Sequence, residues 1–213
     1  MSTAVSNSVL SEEFWSAEGS ALWVKRIVLV ILGIAALAIS AKIKLPIPPS
    51  PVPVGMGTFV VLTIGAAYGP RLGLTTIIAY MLVGALGFDV FTNSSADSNG
   101  IGYMFGITGG YLVGFVLATM VLGFAARKGW DRNVLMMAVA MLIGTALIYI
   151  CGLAWMSYFI EAKSLFNAET YGSVLGQTLA WGLTPFLIGD AIKLALAALL
   201  LPALWKLVGK ART

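Results

Sequence analysis

The sequence predicts an all-α integral membrane protein with six transmembrane helices. Two properties of the composition support this fold class: 59% of the 213 residues are hydrophobic and only 10% are charged. Soluble domains carry about 25% charged residues, so a water-soluble chain this apolar could not cover its own surface. The third observation is that the apolar residues form long runs, separated by loops that hold most of the charges. Basic residues that flank membrane helices explain the net charge of +4, which therefore does not indicate nucleic-acid binding.

The chain is predicted to contain a single membrane domain at 24–208, between an N-terminal tail at 1–23 and a C-terminal tail at 209–213. The first tail carries three glutamates where a secretory signal would be basic, so it is not expected to be a signal peptide. We expect it to be frayed or to form a short interfacial helix, with Trp15 and Trp23 at the depth of the lipid headgroups.

The first three apolar runs lie in the first half of the chain. Residues 24–41 are long enough for a membrane span, which needs about 20 apolar residues. A second, shorter run at 56–68 and a third at 72–91 are separated by the turn sequence GPRLG at 69–73. The loop between the first two runs is predicted to be extended, because each proline disfavours helix at and before its position. These prolines are Pro46, Pro48, Pro49, Pro51 and Pro53.

Three further runs follow the polar loop at 92–103. The fourth begins within GITGGYLVGF and continues to about residue 125, and the fifth covers 134–159. The last apolar stretch, 174–205, contains Pro185, so its beginning is predicted to be kinked or a separate segment.

The distribution of lysine and arginine predicts the orientation of the six spans. Positive residues concentrate in cytoplasmic connections. One side of the predicted topology holds nine of the 13 basic residues, namely Lys25, Arg26, Arg71, Arg127, Lys128, Arg132, Lys206, Lys210 and Arg212. The other side holds only Lys42, Lys44 and Lys163. Both termini are therefore predicted to be cytoplasmic, and the three longer loops face outside.

Two charged residues interrupt the last span, in the sequence PFLIGDAIK. Asp190 and Lys193 are three residues apart and therefore share a helix face. Each costs about 2.5–3.5 kcal/mol at the centre of a membrane, so they are expected to face the protein interior and to pair. Such a pair could simply hold the fold together. The functional interpretation is a polar clamp at the floor of a solute pocket, with acceptors on Asp190 and donors on Lys193.

The residue inventory argues against an enzyme. The chain has no histidine, a single cysteine and no GxxxxGK[ST] motif. A histidine-based metal site, a catalytic triad and a nucleotide-binding loop are therefore not expected, and neither a metal nor a cofactor is predicted. If the protein transports a solute against a gradient, another component must supply the energy.

Five sequence segments together resemble the BioY family, the substrate-binding S components of energy-coupling factor (ECF) biotin transporters. They occur in the family's order between about residues 38 and 195. The segments are KIKLPIP…PVPV, GPRLG, GALGFDVF, TGGYLVGF and PFLIGDAIK. Gly57 stands where the family commonly has glutamine, and Ile107 stands where it commonly has proline.

The resemblance implies a six-helix S-component fold in the bacterial cytoplasmic membrane that binds biotin near its outer face. The implied partners are biotin, an ECF transmembrane coupling protein with ATPase subunits, and the lipid bilayer; a homodimer is a further candidate. Two alternatives stay open: an S component for another vitamin, and a stand-alone biotin carrier.

By the same resemblance, the charged pair maps to Asp190 and Lys193. We assign Asp190 as the acceptor of a ureido N–H and Lys193 as the donor to the ureido oxygen, with the tail toward the outer loops. The reverse pose places the biotin carboxylate on Lys193, at a larger desolvation cost. Further ligand candidates are Asn93 in the outer loop, Tyr111 as a stacking ring and Gly109 through its backbone N–H.

Overall fold

The computed structural model describes residues 8–14, 17–95 and 98–210. Trp15 lies outside these residues. The described chain is almost entirely helical. In chain order its elements are α1 (Leu10–Phe14), α2 (Gly19–Lys42), β1 (Lys44–Leu45), β2 (Val54–Gly55), α3 (Gly57–Ala85), α4 (Gly100–Met104), α5 (Gly109–Arg127), a 3₁₀ turn (Trp130–Arg132), α6 (Val134–Ala162), α7 (Ala168–Tyr171), α8 (Val174–Gly182), a 3₁₀ turn (Thr184–Phe186) and α9 (Leu187–Lys210).

Five helical stretches are long and apolar enough to cross a membrane. Four of them are α2, α3, α5 and α6, and the fifth comprises α8 and α9 together, at Val174–Val208. Many large apolar side chains on these helices remain exposed, among them Ile31, Leu142 and Leu199. An apolar surface of this extent is what a bilayer, rather than water, would cover. The all-helical membrane class predicted from composition agrees with this architecture.

The predicted turn at 69–73 is a sharp break within α3. Gly69 has φ +76° and ψ 179°, outside the helical region, and Pro70 follows it. Glycine adopts positive φ without a steric penalty, and the proline disfavours helix at the residue before it. A Cβ atom added at Gly73 would lie only 3.5 Å from the Cα atom of Gly65. Residues eight apart in a straight helix are about 12 Å apart, so the arms 57–68 and 70–85 fold back on each other.

Several helix boundaries differ from the predicted ones. The first long helix begins at Gly19 rather than at residue 24, so Trp23 lies within its second turn. The third predicted run continued to Phe91, but the helix ends at Ala85 and Gly87 adopts φ +97°. Phe91 instead packs back as a buried side chain, stacked on the ring of Tyr103 at 5.0 Å. An apolar run alone could not distinguish this folded-back loop from a longer span.

Glycines allow the central helices to approach closely. A Cβ atom at Gly114 of α5 would lie 2.6 Å from the Cα of Ile148 in α6, and one at Gly123 would lie 2.4 Å from the backbone nitrogen of Pro70. Small residues at such crossings let membrane helices pack backbone to backbone. Gly33 of α2 serves the same purpose, because it packs against Thr76 and Tyr68 of α3. Helix α5 therefore occupies the centre of the bundle, between α3 and α6.

A buried acid holds the turn between α5 and α6. Asp131 is fully buried and accepts a hydrogen bond from the indole nitrogen of Trp205, at 2.5 Å. The guanidinium of Arg132 lies 4.2 Å from the centre of the same indole ring. Burial raises the pKa of Asp131 from its usual value to about 6, because the charged form loses its hydration. The turn thus anchors the last part of α9 to the start of α6.

The raised pKa of Asp131 predicts a pH-dependent contribution to stability. A carboxyl group with pKa about 6 in the fold and about 3.9 in the unfolded chain contributes stability that is fully present below pH 4. This contribution is lost as the pH rises through 6, and it amounts to roughly 3 kcal/mol. Asp131→Asn is expected to flatten the decline in melting temperature between pH 4.5 and 7.5. A variant that declines as steeply as the wild type would contradict this assignment.

Candidate functional site

The charged pair predicted from the sequence lies beside an internal cavity. The cavity occupies the end of the bundle formed by the loops at 43–56, 86–108 and 163–173, away from the turns at 69–73 and 128–133. The cavity has a volume of about 100 Å³, counted as the space that the centre of a water molecule can occupy. Its lining combines a few polar side chains with a larger apolar wall, as is usual for pockets that bind small organic molecules.

Asp190 and Lys193 form the floor of the cavity. They lie in the first two turns of α9, and the side chains are only 12% and 9% exposed. The Lys193 ammonium donates to a carboxylate oxygen of Asp190 at 2.6 Å. Both residues line the cavity, so the pair faces the interior rather than lipid. A charged pair in this position can offer strong, charge-assisted hydrogen bonds to a bound molecule.

Two residues that the sequence did not indicate complete this floor. The hydroxyl of Tyr149, in the middle of α6, donates to the second carboxylate oxygen of Asp190. Lys193 also lies 3.4 Å from the hydroxyl oxygen of Thr58, in the first turn of α3. The position of Tyr149 was a usable signal: a tyrosine far from either end of an apolar run needs a buried partner for its hydroxyl.

The floor retains capacity for a ligand. An ammonium group has three donors, and Lys193 directs two of them to Asp190 and Thr58 within the described residues. A carboxylate offers about four acceptor positions, of which Lys193 and Tyr149 occupy two. One donor and two acceptor positions remain, which suits a neutral group that carries N–H and C=O side by side.

Aromatic and aliphatic side chains form the walls. The ring of Tyr111 lines the cavity and meets Tyr149 edge-on, with 6.5 Å between ring centres. Its hydroxyl donates to the backbone oxygen of Gly182, at 2.8 Å, so the ring rather than the hydroxyl is available to a ligand. The other large wall residues are Phe91, Tyr103, Leu112, Phe115, Ile148 and Phe186.

The 43–56 segment, the loop around Asn93 and the end of α8 meet to form a roof over the cavity, which we define as the contacts among Lys44, Ser50, Pro51, Asn93 and Trp181. Asn93 donates to the backbone oxygen of Pro51 at 3.2 Å and accepts from the Lys44 ammonium at 2.9 Å. Ser50 donates to the backbone oxygen of Trp181, near the end of α8. The short β1–β2 pair closes the base of the proline-rich loop, and Val52 and Pro53 line the cavity beneath it.

The structure brings four of the five predicted ligand residues to the cavity. Asp190, Lys193, Tyr111 and Asn93 line it, but Gly109 does not. A Cβ atom at Gly109 would lie 2.1 Å from the backbone oxygen of Met104, so this glycine permits close packing at the start of α5. Two aromatic residues near this end of the bundle also lie outside the lining: Trp155 donates to the backbone oxygen of Gly106, and Tyr158 is 64% exposed.

Among residues 8–14, 17–95 and 98–210, no group of three or more histidine, cysteine, aspartate or glutamate side chains is placed to hold a metal ion. The described cavity lining offers one ion pair, hydroxyl groups, the Asn93 amide and aromatic rings.

Comparisons with known proteins converge on one family. The sequence model of the BioY family matches residues 7–210. A probable biotin transporter BioY of Pyrococcus horikoshii is 31% identical over 142 residues, which cover 67% of this chain and 74% of the relative. The biotin transporter BioY of Thermotoga maritima is 29% identical, over 70% of this chain and 78% of the relative.

A solved structure shares the fold. The crystal structure of the S component for biotin from an ECF-type ABC transporter superposes with a TM-score of 0.71 and 22% sequence identity. The match covers 89% of this chain and 95% of the solved one.

Proposed function

Because the chain belongs to the BioY family, we propose that it is the membrane-embedded biotin-binding subunit of an energy-coupling factor transporter. The family is one of transporters, not enzymes. The observation that carries the proposal for this chain is the Asp190–Lys193 pair at the floor of a cavity with an otherwise largely apolar lining.

The chemistry of biotin matches the cavity from floor to roof. Its ureido ring has two N–H groups and one C=O, which correspond to the free acceptor positions on Asp190 and the free donor of Lys193. The fused thioether ring and aliphatic tail suit the wall of Tyr111, Phe115 and Ile148. In this pose the tail carboxylate points to the roof. There Lys44 binds Thr92 and Asn93, both neutral acceptors, and provides a cation near the opening.

We propose that the chain crosses the membrane six times, with both termini in the cytoplasm and the cavity near the outer face. The reversal at Gly69 supports two crossings within α3. Among the described residues, the basic side chains near the start of α2, near the end of α9 and in the 69–73 and 128–133 turns lie at the end of the bundle opposite the cavity, which agrees with the positive-inside rule. The host membrane would be a bacterial cytoplasmic membrane.

The proposed partners follow from membership of the BioY family and from the fold shared with the S component for biotin of an ECF-type ABC transporter. A transmembrane coupling protein and two ATPases of the energy-coupling factor type would supply the energy for uptake. A second copy of the chain is a further candidate partner, and nucleic acid is not.

Titration calorimetry of the detergent-purified chain with biotin tests the proposal directly. Saturable binding with one site per chain, undiminished by an excess of riboflavin or thiamine, is the expected result. An absence of heat with biotin, or displacement of biotin by another vitamin, would refute the assignment of the ligand.

Gly57 offers a gain-of-contact prediction. It lines the cavity, and a Cβ atom added there would meet nothing within 4 Å. Gly57→Gln should therefore fold and place an amide at the cavity, where one additional hydrogen bond of about 1 kcal/mol would tighten biotin binding about fivefold. Gly57→Ala is the matched control, because it adds bulk without a polar group. Weaker binding in Gly57→Gln than in Gly57→Ala would contradict the prediction.

A further inference from the structure

A second cavity, larger than the first, lies at the opposite end of the bundle. It measures about 550 Å³ and opens between α1, the start of α2, the region of the Gly69 break and the end of α5. We call it the basic groove and define it by Lys25, Arg26, Arg71 and Arg127, together with an apolar wall formed by Ile27, Val30 and Ile31. None of its residues lines the biotin cavity, so the proposed function does not account for it.

The basic groove carries an excess of positive charge. Glu12 is the one carboxylate among its lining residues in the described chain, and both of its oxygens bind the guanidinium of Arg127, at 2.7 and 2.5 Å. Arg26 and Arg71 add two further cations to this neutral pair. Lys25 also lines the groove, but it is only 4% exposed and lies close enough to Glu12 to feel its charge, so the excess rests on the two arginines. Cations gathered in this way favour an anionic occupant.

The wall of the groove is apolar along α2. The apolar residues Ile27, Val30 and Ile31 follow the cationic ones along α2. Val30 and Ile31 lie three and four residues after Ile27, so the three side chains share one helix face. Ile27 and Ile31 are 57% and 59% exposed, and Trp23 beside the cations is 65% exposed. The groove therefore has a cationic end near the expected membrane surface and an apolar side that continues along the bare face of α2 toward the membrane centre.

We propose that the basic groove binds an anionic phospholipid of the cytoplasmic leaflet. The headgroup phosphate would lie against Arg26 and Arg71, with an acyl chain along Ile27 and Ile31. Arginine forms paired hydrogen bonds to phosphate, and basic pockets between transmembrane helices suit such headgroups. The apolar wall favours a lipid over a soluble phosphate, because it offers surface for an acyl chain that a free ion would leave bare.

The test compares lipid binding in two variants of equal charge. The purified full chain is transferred to phosphatidylcholine nanodiscs containing increasing phosphatidylglycerol, and bound phosphatidylglycerol is counted by native mass spectrometry after release. Arg26→Gln with Arg71→Gln should lose about 25-fold in affinity for phosphatidylglycerol, about fivefold for each charge. The control, Lys128→Gln with Lys206→Gln, removes two cations from the same end of the bundle but outside the groove and should bind like the wild type.

Two further measurements distinguish a phospholipid from a soluble phosphate and check that the variants are folded. Glycerol 3-phosphate at millimolar concentration should not displace the lipid. Displacement would show that the groove binds the phosphate group without the acyl chain, which would overturn the proposal. Equal losses in both double variants, or no loss in either, would also overturn it. Arg26→Lys with Arg71→Lys should retain most binding. Biotin affinity should be unchanged in every variant, which keeps this result independent of the proposed function.

Discussion

Replacement of Asp190 by asparagine is expected to weaken biotin binding by about 30-fold or more. Asp190 is the only acidic side chain at the described cavity lining, and it joins Lys193, Tyr149 and the proposed ureido N–H. Loss of one member of a buried, hydrogen-bonded charge pair costs at least about 2 kcal/mol, much of it because the remaining charge is left unpaired. Calorimetric titration of wild type and variant in the same detergent measures the difference.

Glu161→Gln is the matched control for this prediction, because it removes an exposed carboxylate at the end of α6 without approaching the cavity. Its biotin affinity should equal that of the wild type. The melting temperature of each variant shows whether a loss of binding reflects a loss of fold. Unchanged affinity in a folded Asp190→Asn protein would show that the floor of the cavity is not part of the biotin-binding site.

Substitution of Lys193 by methionine is expected to reduce biotin affinity by about 100-fold and to distinguish the two ligand poses. The change leaves Asp190 without its cation in a buried site, at a cost of at least about 3 kcal/mol. With the ureido ring at the floor, biotin and its methyl ester should bind the wild type with similar affinity. The variant should bind both ligands more weakly, by the same factor.

The reverse pose has a different signature. If Lys193 binds the carboxylate, the methyl ester should bind the wild type as poorly as biotin binds Lys193→Met. Lys44→Gln supplies an independent check at the roof, because Lys44 is the cation proposed to lie near the tail. In the pose with the ureido ring at the floor, Lys44→Gln should weaken the binding of biotin modestly and leave the affinity for the ester unchanged.

The sequence predicted the membrane class and the position of the floor because both follow from large free-energy costs. A long apolar run is costly to expose to water and therefore forms a membrane helix. An acid three residues from a base within such a run is costly to expose to lipid, so the pair faces the protein interior. The break at Gly69 was also predictable, since glycine followed by proline rarely continues a helix.

Other features depend on tertiary contacts that no local pattern encodes. Phe91 extends the third apolar run in sequence but packs back onto Tyr103, and Gly109 supports close packing instead of facing the cavity. Tyr149 and Thr58 reach the floor from helices distant in sequence from α9, so only the assembled bundle places them there. The sequence therefore located the charges of the site but not the groups that orient them.

The construction of the roof affects the kinetics of ligand exchange. The three hydrogen bonds that define the roof join Lys44 to Asn93, Asn93 to Pro51 and Ser50 to Trp181, and the last two involve neutral groups only, whereas the floor holds an ion pair. Parting the roof would break these bonds and the Lys44–Thr92 bond without breaking the ion pair. Equilibrium affinity and residence time thus depend mainly on different parts of the molecule. A substitution such as Ser50→Ala, which breaks a roof contact outside the cavity lining, should alter on- and off-rates together while the dissociation constant stays nearly constant.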